Sequence, residues 1–151
     1  MIPVPIVIHI TDGYPYEGNG TEERARQDAL KAADELKSIS TPDGNTVLFN
    51  FHIEHSDKLQ PLAFPVIAPS DPERKFLFEA SSTIPEELLK SAQIKFPEIE
   101  KGSKVMVSNE ADESKLAKII MWGTVVSSTA SQISSVEQAK PTEGDVEQAK
   151  P

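Results

Sequence analysis

The chain has 151 residues, a hydrophobic fraction of 38% and a formal net charge of −9 from 24 acidic and 15 basic residues. That length allows one domain around one core, and that charge disfavours nucleic-acid backbones and anionic membranes as partners. The absence of cysteine excludes disulfides and thiolate metal sites and fits a cytoplasmic location. No apolar run reaches the length of a membrane span. The apolar N-terminus carries Pro3 and Pro5 and lacks a basic leading segment, so it does not read as a signal peptide.

Pro3 and Pro5 set an extended start. Ile6-Val7-Ile8-His9-Ile10 follows as a strand, dominated by β-branched residues and free of charge, which reads as buried. It stops at Thr11-Asp12-Gly13. In open α/β sheets the carboxyl ends of strands are where ligands bind. Asp12 is therefore the first candidate residue. A carboxylate there suits a hard cation such as Mg²⁺, with the Thr11 hydroxyl beside it. The alternative is a carboxylate that caps amides of its own loop.

After a loop rich in Tyr, Pro and Gly, Asn19 or Thr21 can cap a helix with Glu22 and Glu23 in its first turn. The helix runs to about Ile39, with Ala25, Ala29, Ala32, Ala33, Leu36 and Ile39 on one face. Thr41-Pro42-Asp43-Gly44-Asn45 is a turn, and Val47 to Ile53 is a second strand. Strand, helix and strand at this spacing predict a βαβ unit with parallel strands and a right-handed crossover. His52, Glu54 and His55 then fall on the same sheet edge as Asp12. A transition-metal site with Asp12 is one reading of them; ordinary polar residues at a strand end is the other. His9 reads as a packed or hydrogen-bonded strand residue.

Residues 56–74 hold Pro61, Pro65, Pro69 and Pro72 and read as a long irregular connection. Phe76 to Glu79 reads as a short strand. Thr83-Ile84-Pro85-Glu86 has the pattern of a capping box before a helix to about Gln93. Val105 to Val107 is a short apolar piece. Asp112 or Asn109 caps a last helix with Leu116, Ile119, Ile120 and Gly123 on one face, and Trp122 reads as core. The composition turns polar after Val126. The segment Val136 to Pro141 recurs as Val146 to Pro151, and a disordered tail over 127–151 is expected behind a domain of residues 1–126.

The run Ile6 to Gly13, the alanine-rich helix and the second apolar strand together resemble the von Willebrand factor type A domain, from the strand that supplies the last acidic element of its metal-ion-dependent adhesion site. The resemblance implies an α/β fold with a Rossmann-like parallel sheet flanked by helices. It implies Asp12 as a Mg²⁺ ligand and a protein partner that offers an acidic side chain to the metal. The family's Asp-x-Ser-x-Ser segment and its middle threonine loop have no counterpart in this chain. The expected sheet is therefore incomplete, the Mg²⁺ site partial or degenerate, and the ion weakly held or absent in this chain alone. The expected function is a non-enzymatic protein-interaction module. A metal-dependent hydrolase fragment and an inactive structural remnant are the alternatives. An incomplete sheet would leave the first strand as an open apolar edge and favour self-association.

Overall fold

The computed structural model describes residues 4–12, 22–53, 57–109 and 112–137, with side chains of the last helix to Val126. The elements in chain order are β1 (Ile6–Thr11), α1 (Glu22–Ser38), β2 (Ser40–Thr41), β3 (Gly44–Asn45), β4 (Val47–His52), β5 (Leu62–Ala63), α2 (Pro72–Ala80), α3 (Glu86–Lys95), β6 (Met106–Ser108) and α4 (Glu113–Glu137). Four strands form one sheet in the order β1-β4-β6-β5. The βαβ unit forms as expected: β1 runs parallel to β4, with Ile6 opposite Val47 and Thr11 opposite His52. The β6 strand extends the parallel set on the other side of β4. The sheet is mixed rather than wholly parallel, because β5 joins β6 antiparallel. The turn at Pro42-Asp43 closes the small β2–β3 hairpin, where Gly44 takes φ 140°.

The central strand β4 is buried at every residue. Its pleat points Val47, Phe49 and Phe51 to one side, where Phe64, Ile84, Ala92, Phe96, Ile99, Ile119 and Trp122 from the β5, α3 and α4 regions complete the larger core. Phe64 meets Phe49 edge-on at 5.9 Å and Phe96 at 5.1 Å. Leu48 points to the other side, where Ala33 of α1 and Ala80 of α2 approach closely. The chain thus has helices on both faces of its sheet, an α/β arrangement.

Further expectations are corrected. The β1 strand is only partly covered: Ile6 to Ile8 are half-buried, while His9 and Ile10 are exposed, because β1 sits at the sheet edge. Phe76 to Glu79 is helical. Asp71 accepts from the amides of Glu73 and Arg74 at 3.1 and 3.0 Å, and Pro72 starts α2. A cap of this kind is worth about 1 kcal/mol. The Thr83 capping box does not form. The α3 helix begins after Pro85 without a side-chain cap, since Thr83 bridges to Lys104 and Ile84 N donates to Ser103 O. On α1, Ala25 and Ala33 are buried, whereas Ala32 faces solvent, as does Ile39 just past the helix end. At the C-terminal end, α4 continues past Val126 to Glu137, and residues 138–151 of the expected tail lie outside the described residues.

Candidate functional site

The strands β1, β4 and β6 run the same way, so their carboxyl ends share one edge of the sheet. Pairing sets Thr11, His52 and Ser108 side by side in one row. His52 is buried, and its Nδ1 lies 3.3 Å from Ser108 Oγ. Ile53 N donates to Thr11 O at 2.9 Å, holding the end of β1 to the end of β4. Asp12 follows and is exposed. Ile10 and Ile53, near the ends of the two strands, are 45% and 46% exposed.

Just past β6, Asn109 takes the left-handed φ of 56° that asparagine tolerates better than most residues. Its Nδ2 donates to Leu59 O. The chain then reaches Asp112, whose Oδ1 accepts from Ser114 N at 2.8 Å at the start of α4. The hydrogen bonds with the Ser114 side chain and amide hold the Asp112 carboxyl below its ordinary value.

A second polar row lies one step inside the first. Asn50 is buried in the middle of β4, and its Nδ2 donates to Ser81 Oγ at 3.0 Å. Ser81 Oγ donates in turn to Leu77 O at 2.6 Å. With the amide nitrogen so placed, Asn50 Oδ1 accepts from His9 Nδ1 at 2.9 Å. His9 is therefore a hydrogen-bonded strand residue and not part of the Asp12 end.

The structure brings Thr11 and His52 together by register and leaves Asp12 one residue beyond them. Gly13, Asn19, Thr21, Glu54 and His55 lie outside the described residues. Among the described residues no three His, Asp or Glu side chains gather in a group able to hold a metal ion. Mg²⁺ selects several oxygen ligands at near-octahedral geometry. Among the described residues, the exposed Asp12 carboxylate beside the Thr11 hydroxyl does not amount to that set. No helix among the described residues is long and apolar enough to cross a membrane.

Sequence reasoning missed a different surface. The helices α3 and α4 pair over the larger core and leave an apolar groove of about 630 Å³ between their outer sides. Leu88, Ile94, Met121, Trp122 and Val125 line it, with Lys95, Lys118 and Glu87 among its polar residues. Its only sequence signal is that Met121 and Val125 extend the apolar content of α4 beyond the core-facing stripe.

No protein-family model, no curated protein and no solved structure matches the chain.

Proposed function

We propose that the chain is a non-enzymatic protein-interaction module of Rossmann-like, von Willebrand factor type A-like architecture, incomplete as a sheet, in which Asp12 keeps one position of a degenerate Mg²⁺ adhesion site. The observation that carries this reading is the exposed Asp12 at the carboxyl end of an edge strand, with Ile10 and Ile53 exposed around it. An exposed acid beside two exposed isoleucines suits contact with another protein. The open side of β1 adds support. Val47 N bonds to Pro5 O and Ile53 N to Thr11 O, so the odd-numbered residues of β1 face β4. The peptide groups of Ile6, Ile8 and Ile10 then face outward, and no described strand pairs with them. An uncharged edge of this kind accepts a further strand, from a partner or from another copy.

Calorimetric titration of the chain with Mg²⁺ and Mn²⁺, beside Asp12→Ala, tests the reading. Weak binding that disappears in the variant is expected. Equal heats in both proteins would remove Asp12 from the site. Turnover of a generic phosphate ester that vanishes in Asp12→Ala would replace the module with a hydrolase.

A further inference from the structure

The groove between α3 and α4 is separate from the Asp12 end of the sheet and does not depend on it. Ile94, Met121 and Val125 are 78%, 65% and 59% exposed, and all three line this one groove. Solitary exposed apolar residues need no explanation, but a contiguous cluster marks a binding surface. Leu88 and Trp122 form the floor and join it to the core. Trp122 Nε1 reaches Ser91 Oγ at 3.4 Å, which fixes the indole between the two helices.

The charge around the groove selects its occupant. Lys95 and Lys118 line it against the single carboxylate of Glu87, and all three are exposed. The lining thus carries a surplus of one positive charge in a chain of net charge −9. A second copy docked groove to groove would bring two linings of like net charge together. Residues 138–151 of the chain hold Val146 as their only large apolar side chain, too few to fill an apolar groove. An amphipathic helix with apolar residues at helical spacing would meet the floor, and acidic residues on its flanks would meet the lysines. The α3 wall has ten residues, which matches an occupant of about three turns.

We propose that the α3–α4 groove is the docking site for an amphipathic helix of a partner protein, with apolar residues on one face and acidic residues along its flanks.

Trp122 is the only tryptophan of the chain and reports on the groove directly. The probe is a tryptophan-free synthetic helix with Leu at positions i, i+3, i+4 and i+7 and Glu on both flanks. It is added to the full chain while Trp122 emission is followed. A saturable change is expected, weaker as salt rises. Ile94→Asp and Val125→Asp change exposed positions and leave the circular-dichroism spectrum intact; each should weaken binding about tenfold. Lys95→Glu with Lys118→Glu should weaken the Glu-flanked helix and strengthen a Lys-flanked one. The proposal is overturned if no saturable change occurs, or if the wild-type chain takes the Lys-flanked helix equally well. It is also overturned if sedimentation shows a dimer that Ile94→Asp dissociates, since the groove would then hold a second copy.

Discussion

Asn50→Ala probes the inner polar row, because Asn50 places an amide inside the sheet with both ends bonded. The substitution removes the hydrogen bond to Ser81 Oγ at 3.0 Å and the one from His9 Nδ1 at 2.9 Å. Each is worth about 1 kcal/mol net, and the void left by the amide adds to this, so a loss of about 2–3 kcal/mol is expected. For a domain of this size that corresponds to a melting-temperature drop of roughly 4–12 °C. Urea unfolding followed by far-ultraviolet circular dichroism measures it, with an unchanged m-value as the check on two-state behaviour. Asn50→Leu keeps the volume and should cost less. Ser81 Oγ retains its bond to Leu77 O, and the exposed His9 turns to water. A double-mutant cycle with Ser81→Ala should show coupling of at least about 0.5 kcal/mol. A loss below about 0.5 kcal/mol in Asn50→Ala, or a larger loss in Asn50→Leu, would refute the argument that the bonded amide holds β1, β4 and the end of α2 together.

Asp71→Ala removes the acceptor for Glu73 N and Arg74 N and should cost about 1 kcal/mol in the same assay, with Asp71→Asn retaining most of it. Gly44→Ala meets two obstacles, a φ of 140° and Val4 Cγ2 at 3.1 Å from the new Cβ, and should lower stability by about 1 kcal/mol or more. The Asp112 carboxyl is held below its ordinary value of 3.8 by Ser114. Its folded value lies under its unfolded one, so its contribution is complete above the unfolded value and fades as pH falls through the folded one. Acid titration should therefore destabilise the native chain more than Asp112→Asn over that window, as read by thermal melts at successive pH values.

The β1–α1–β4 unit was legible because its signals are local. An uncharged β-branched run, an amphipathic alanine-rich helix and a turn at Pro42-Asp43 are each specified by residues close together in sequence. Phe76-Leu77-Phe78 misleads because dense aromatic content suits a strand. The deciding signal stands earlier, in Asp71 as cap and Pro72 at the first helical position. The Thr83 pattern fails for a tertiary reason, since the backbone around it is already committed to Ser103 and Lys104. Ile84 also precedes a proline, which pushes it from helical to extended geometry. Asp12 was legible as a strand-end carboxylate, but which described side chains stand near it depends on what the fold brings together. The α3–α4 groove could not be read at all, because it exists only where two helices distant in sequence meet.

The two sides of the sheet are packed with different materials. On the α3–α4 side, four phenylalanines and Trp122 interlock with aliphatic residues. On the α1–α2 side, the cluster around Leu48 is built from Ala33 and Ala80 with Val7, Leu30 and Leu36 around them, and Leu77 of α2 and Met106 of β6 are the larger buried side chains beside it. Apolar area sets most of the free energy of a helix docking on a sheet, so the alanine-lined layer is held less firmly. Amide hydrogen exchange should resolve this as two classes. Amides of α1 should exchange through a local opening that leaves β4 intact, while those of Phe49, Phe51 and Val107 should exchange only when the whole chain unfolds.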